Sequence, residues 1–465
     1  MLKKSRLQFS GILLLLIVLC ARTQEARASE TPAEHAANVY AAQELAAAPP
    51  HGNLPDYSLP PDKLAKAQHL DTIRTVTSFG GTIWDILQLA LLLWLGVIAW
   101  IRDRAVEAAA RLRARGKRIR AFCRECVVFT GLFTVVTELL NLPLGLYRHH
   151  LAVDYGFSIQ SWASWWSDTG KSFAIALGIT LFLAALLKLL IRLLPRAWWA
   201  VCWAIVTPLV IFATYLAPLV LDPLYNKFEP LQQSHPELVA QLEKVVAKGH
   251  MDIPPERMFL MEASAKVTTI NAYVTGFGSS KRVVVWDTSL QKGKPDQLLF
   301  IFGHESGHYV LGHVRNGLVL VILGLLVAFF LGYHLIRWAI RRYGGDWRIP
   351  SQSDWGAIAV LFFAFTIFEV VSQPIENSIS RIVEHNADVY GQEAIHGLVA
   401  NPQETAQTSF DVLGESVLDR PNPNLFVEFW LDSHPAIGRR AAFAHAYDPW
   451  APGMEPKYFS KADSE

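Results

Sequence analysis

The sequence predicts a mainly α-helical, polytopic membrane protein of six to seven spans, with an extramembrane domain that contains a small β-sheet. Three observations carry that expectation. Hydrophobic residues make up 52% of the 465-residue chain and charged residues only 18%, against about a quarter charged in soluble domains. Mean hydropathy is +0.24. The apolar residues are also gathered into runs near the ~20 residues that a spanning helix needs.

Six such runs extend roughly from Ile83 to Ile101, Val127 to Tyr147, Phe173 to Leu194, Trp198 to Leu221, Leu318 to Trp338 and Ala357 to Val371. Pro143 and Pro218 interrupt the second and fourth, which neighbouring helices can tolerate. Glu138 and Asn141 lie inside a run and are expected to face the bundle interior or a wet cavity. Ahead of these runs, Lys3, Lys4 and Arg6, the apolar stretch Ile12 to Leu19, and Ala26-Arg-Ala28 read as an export signal or a first membrane helix over residues 1–28. Residues 29–80, rich in Ala, Pro and polar groups, read as a flexible extramembrane segment. Four membrane helices are then expected over residues 81–221 and two more over residues 317–375. An extramembrane catalytic part would comprise residues 222–316 and 376–465.

The basic residues are local. They cluster from Arg102 to Arg120, at Arg192 and Arg196, and at Arg337, Arg341, Arg342 and Arg348. By the positive-inside rule these three segments are cytoplasmic, which agrees with the export signal and places residues 222–316 and the C-terminal region outside. A net charge of +1 offers nothing to neutralise a phosphate backbone, so nucleic acid is excluded as a partner. Four cysteines are too few for a disulfide framework, and Cys123 and Cys126 are read as helix packing.

Within residues 222–316, Leu238, Leu242, Val245 and Val246 recur at helical spacing over Pro236 to Lys248. Phe259 to Met261, Ala272 to Thr275 and Val283 to Trp286 read as strands, the last two joined by a hairpin-type Gly276-Phe-Gly-Ser-Ser280. A helix then begins at Pro295 and carries Gly303-His-Glu-Ser-Gly-His308. Positions i and i+4 share a helix face. His304 and His308 can therefore offer two imidazoles to one metal, with Glu305 beside them as a base. By itself the pattern also fits a helix with two surface histidines.

A catalytic zinc takes three protein ligands. The register that would supply a third histidine after the motif holds Leu311 and Val314, and His313 is one residue out, so His313 reads as bland. Glu384, after the last apolar run, is an alternative ligand. Asp388 lies one turn on, on the same face, where it can fix the tautomer of a ligating histidine. An ordinary helix salt-bridge pattern explains these two acids as well.

Taken together in order, several segments resemble the type I CAAX prenyl endopeptidase family, membrane-embedded zinc proteases that cleave lipid-modified C-terminal peptides. The segments are Leu142-Pro-Leu-Gly-Leu-Tyr147, Ala217-Pro218 with Asn226-Lys-Phe-Glu-Pro-Leu231, Asn271-Ala-Tyr273 with Gly276-Phe-Gly278, the His304 motif, the Arg381/Glu384/Asp388 run and Ser433-His-Pro435. The resemblance runs from about Leu59 to Tyr447. It implies a gluzincin-type zinc protease domain with one Zn2+ per chain, held by His304, His308 and Glu384, and Glu305 as the base. It also implies that Asn271, Ala272 and Tyr273 form an edge strand that pairs with substrate, that His434 stabilises the oxyanion and that Arg440 supports the site. The implied partners are a peptide or protein substrate, lipid-modified in the family, and membrane lipid. With the export signal, the expected location is a bacterial inner membrane with the site on the periplasmic side. A polytopic transporter or receptor with a structural zinc site is the alternative. It differs in having no use for an uncoordinated acid at Glu305.

Overall fold

The computed structural model describes residues 30–276 and 281–460. The expected export signal lies outside the described residues, as does most of the turn after Gly276. In chain order the helices before the sheet are α1 (Pro32–Ala47), α2 (Pro61–Trp94), α3 (Val97–Ala114), α4 (Arg118–Asp154), α5 (Trp162–Leu193) and α6 (Trp198–Tyr225). Strand β1 (Phe228–Pro230), short α7 (Leu231–Ser234) and α8 (Pro236–Lys248) follow, then β2 (Met258–Met261), β3 (Ala272–Thr275) and β4 (Arg282–Trp286). The rest is helical: α9 (Asp287–Lys292), α10 (Pro295–Val310), α11 (His313–Tyr343), α12 (Gly356–Ala394), α13 (Pro402–Val417), α14 (Leu425–Leu431) and α15 (Ile437–Ala446). Among the described residues, α2, α4, α5, α6, α11 and α12 are long and apolar enough to cross a membrane.

Two sequence expectations about this frame need correction. The first apolar run does not form one span from Ile83 to Ile101. Gly96 adopts φ 73° between α2 and α3, a left-handed conformation that ends the helix and is cheap only for glycine. The following α3 turns back along α4, burying Ile98, Ile101 and Ala105 in the bundle core. From residue 30 on, the segment expected to be flexible is instead largely helical. Thr31 and Glu34 form a reciprocal capping box, which satisfies two of the helix's free N–H groups. Ala33, Ala37 and Ala41 then pack against Val389, Phe443 and Tyr447. These alanines bury little area each, so their face looked weakly apolar in the sequence. Their small size is what lets α1 approach closely, and an ion pair from Lys457 to Glu34 at 2.8 Å closes the end.

The sheet runs β1-β2-β4-β3, with β2 and β4 parallel and the two outer pairs antiparallel. β3 is thus an edge strand. Leu260, Ala272, Val283 and Val285 of the sheet share one core with Leu238, Leu242, Phe300, Phe302 and Phe410. Arg282 ties this sheet to the end of α6, donating to Pro218 O at 2.8 Å and pairing with Asp222 at 3.3 Å.

The three basic segments meet at one end of the bundle. Arg102 donates to Arg348 O at 2.6 Å, and Gln352 donates to Pro195 O at 2.9 Å. From that end, α12 runs unbroken through Pro374 to Glu384, so the last span and the helix of the candidate ligand are one rod. At 1.5 Å per residue, Glu384 stands about 40 Å from the start of α12. Within the bundle is a cavity of about 860 Å3 whose lining includes Asp85, Glu138, Asn141, Arg148, Trp165 and Trp166. Both polar residues singled out in the second apolar run therefore line this cavity.

Candidate metal centre

The centre forms where α10 crosses α12, and glycines set how closely they approach. At Gly391 an added Cβ would stand 2.7 Å from His304 N, and at Gly307 3.0 Å from Tyr390 Cβ. Backbone therefore meets backbone at this crossing. That closeness brings Glu384, one helix away, up to the two histidines of α10.

His304 Nε2 lies 3.1 Å from His308 Nε2. Glu384 reaches both, with Oε2 3.3 Å from His304 Nε2 and Oε1 3.5 Å from His308 Nε2. Ligand atoms held tetrahedrally at ~2.0–2.1 Å from zinc stand roughly 3.3–3.4 Å apart, so the three separations fit one such ion. Glu384 Oε2 is buried and receives no well-formed hydrogen bond, the nearest imidazole nitrogens standing 3.2 and 3.3 Å away. An acceptor left unsatisfied between two imidazoles is costly unless a cation fills the space. Among the described residues this is the one group of three metal-ligating side chains converging on a point.

A second layer supports it. Asp388 Oδ1 stands 2.9 Å from His304 Nδ1, and Arg440 grips the same carboxylate through two bonds of 2.9 and 2.7 Å. Burial pushes the His304 pKa down, but Asp388 and Glu384 outweigh it, leaving it pushed up to about 9. The acids around this ring thus favour positive charge on it. Glu305 shows the opposite balance, since burial raises its carboxyl above the ordinary range despite the neighbouring histidines.

His434 Nε2 lies 3.2 Å from Glu384 Oε2, with the ring half exposed. Burial lowers its pKa below the usual imidazole value, which favours the neutral ring. Ser433 Oγ sits 2.9 Å from its Nδ1. Ala272 and Tyr273 lie on the edge strand, and Tyr273 OH donates to Asp222 at 2.9 Å. Asn271 is exposed just ahead of β3, its N–H donating to Ser289 Oγ at 2.9 Å. His304, His308, Glu384, Asp388, His434 and Arg440 are thus joined by direct contacts, with Glu305 on the same helix turn, whereas Asn271 to Tyr273 lie on the sheet.

The sequence reading undervalued His313. Its Nδ1 stands 3.2 Å from His308 Nδ1, much as Asp388 Oδ1 stands beside His304 Nδ1. Gly312 supplies the signal. Its left-handed φ of 70° restarts the helix and swings the next side chain back, so linear register does not apply. Replacing His313 with Ala should weaken metal binding about 10–100-fold, the usual cost of losing an outer partner, as read by competition with a metallochromic chelator. Unchanged affinity would show that His308 needs no such partner.

Comparison with known proteins bears on this geometry. The profile of peptidase family M48 matches residues 232–448. A second, the CAAX prenyl protease N-terminal region with five membrane helices, matches residues 44–227. The metalloprotease YhfN of Bacillus subtilis is 30% identical over 384 residues, covering 83% of this chain and 86% of that one. The chain belongs to peptidase family M48. This M48 protein is accordingly an integral-membrane metalloendopeptidase acting on peptide or protein substrates. The transporter or receptor alternative finds no support.

CAAX prenyl protease 1 of Saccharomyces cerevisiae is 24% identical to the M48 chain over 284 residues, 58% of this chain and 62% of that one. The crystal structure of Ste24p from S. mikatae superposes on it with a TM-score of 0.71 at 20% identity, covering 89% of this chain and 99% of that one. The M48 chain therefore shares that fold.

Proposed function

We propose that this protein is a zinc endopeptidase in which His304, His308 and Glu384 hold one Zn2+ and Glu305 is the base. The convergence of three ligand atoms, with Glu384 Oε2 left unsatisfied between them, carries the reading. A zinc ion held by these three residues would supply Lewis acidity towards a water and a carbonyl oxygen. Glu305, with its carboxyl raised by burial, takes the water's proton and returns it to the leaving amine. Neutral His434 donates to the carbonyl oxygen as charge develops there, a contribution of about 2.7–4 kcal/mol in comparable sites. Asp388 and Arg440 hold His304 in place.

Substrate enters as an added strand on β3. Asn271 O accepts from Trp286 N at 3.1 Å, and in an antiparallel ladder such pairs alternate. Ala272 and Val274 therefore keep their N–H and C=O on the open edge, where main-chain pairing gives affinity with loose sequence choice. The catalytic part is taken as residues 222–316 and 376–465. Lipid-modified peptides belong to the relatives' names, and here the proposed substrates are exported or membrane-bound peptides.

The basic end of the bundle supports an orientation with that end in the cytoplasm and the zinc site on the periplasmic face of a bacterial inner membrane. In intact cells, with the native cysteines replaced, an impermeant maleimide should label Lys281→Cys and spare Arg111→Cys. Labelling of the Arg111 position alone would reverse the orientation. For the chemistry, purified protein should hold about one zinc. A strong chelator should stop peptide cleavage, and added zinc should restore it. Cleavage that persists in metal-free protein would end the proposal.

A further inference from the structure

A second cleft, of about 410 Å3, lies at the basic end of the bundle, lined by Arg113, Arg118, Ala121, Phe122, Glu125 and Arg192. These residues come from α3, α4 and α5, so the cleft sits between helices, about 40 Å along the bundle from the zinc site. Three guanidinium groups face one carboxylate. That carboxylate is already occupied: buried Glu125 receives the Trp355 indole N–H at 2.9 Å and is paired with Arg113.

The other two arginines retain unused capacity. Arg192 comes no nearer to Glu125 than 4.0 Å, lies over the Phe122 ring at 5.3 Å and keeps its side chain 42% exposed. Arg118 is exposed, and no side-chain partner is found for it among the described residues. Within a turn of these residues, Ile119, Leu189 and Leu193 are exposed apolar side chains on the same two helices. A fork of guanidinium donors suits a phosphate oxygen pair, and the adjoining apolar strip suits a hydrocarbon chain. A basic pocket between membrane helices at the bundle end is the setting in which anionic lipid headgroups bind.

We propose that this cleft is a binding site for one anionic phospholipid, its phosphate between Arg118 and Arg192 and an acyl chain along Ile119, Leu189 and Leu193. The phosphate alone could come from a soluble anion, but the apolar strip favours the lipid.

The probes are phosphatidylglycerol and phosphatidylcholine with identical chains, added to full-length protein in detergent micelles and counted by native mass spectrometry. Wild type should retain one phosphatidylglycerol in preference to phosphatidylcholine. Arg118→Gln with Arg192→Gln should weaken that preference about twenty-five-fold, from roughly fivefold per arginine, with zinc content and peptide cleavage unchanged. Lysine at both positions should keep most of the preference. Glycerol 1-phosphate, which carries at least the headgroup's negative charge and no chain, should not displace the lipid. Equal retention of the two lipids by wild type would overturn the site without any variant. So would full preference in the double variant, and displacement by glycerol 1-phosphate at equal concentration would reassign it to soluble anions.

Discussion

Glu305→Gln should lower peptide cleavage by about 10²–10⁴-fold while the protein still binds one zinc. The range is that of a positioned general acid–base group. Glutamine keeps the shape and can still hydrogen-bond, but it cannot carry the proton from water to the leaving amine. The two histidines and Glu384 make their mutual contacts without Glu305, so the ligand set should survive. The measurements are zinc content by plasma emission and turnover of a fluorogenic peptide, made on the same preparation. A variant that keeps its zinc and cleaves at the wild-type rate would remove Glu305 from the chemistry.

Gly391→Ala should be nearly as damaging, although Gly391 has no chemical group to offer. Its new Cβ would meet the backbone of His304 at 2.7 and 3.0 Å, and backbone cannot rotate aside as a side chain can. Alanine favours a helix over glycine by about 1 kcal/mol, while overpacking costs about 1–3 kcal/mol. The second term should win, because the relief available is to move α10 and α12 apart. That movement separates Glu384 from His304 and His308, so zinc affinity should fall about 10–100-fold along with the unfolding midpoint. Gly178 on α5 has nothing within 4 Å of an added Cβ, so Gly178→Ala should leave zinc affinity alone. If Gly391→Ala binds zinc as wild type does, the close crossing is not what sets the ligand distances.

The legible parts of this protein were those that repeat along the chain. The spans showed as runs, α8 showed as the spacing of Leu238, Leu242 and Val245, and α10 showed as a motif that works only on a helix. Strands β2, β3 and β4 were visible as short β-branched and aromatic stretches, whereas β1 was not. Its sequence, Phe-Glu-Pro, has no alternation to read. Glu384 illustrates the limit. The residues alone left it equal to any helical salt-bridge acid, because what singles it out is a helix crossing made by Gly303, Gly307 and Gly391, far apart in sequence. The same holds for α1, whose alanines matter through closeness to α15 rather than through apolar area. His313 was lost to a rule of linear register that a single left-handed glycine suspends.

The spread of the site along the chain has a consequence for how the enzyme is made. His304, Glu305 and His308 leave the ribosome well before His434 and Arg440, a lag of roughly 7–27 seconds at bacterial or slower rates of synthesis. Until then Asp388 lacks the guanidinium that holds it, and Glu384 lacks the His434 imidazole. The helix α1 has by then long emerged, but its docking surface on Phe443 and Tyr447 has not. A nascent chain therefore carries the hydrolytic motif without the framework that completes it. The peptidase is assembled last, after its own membrane helices have been synthesised.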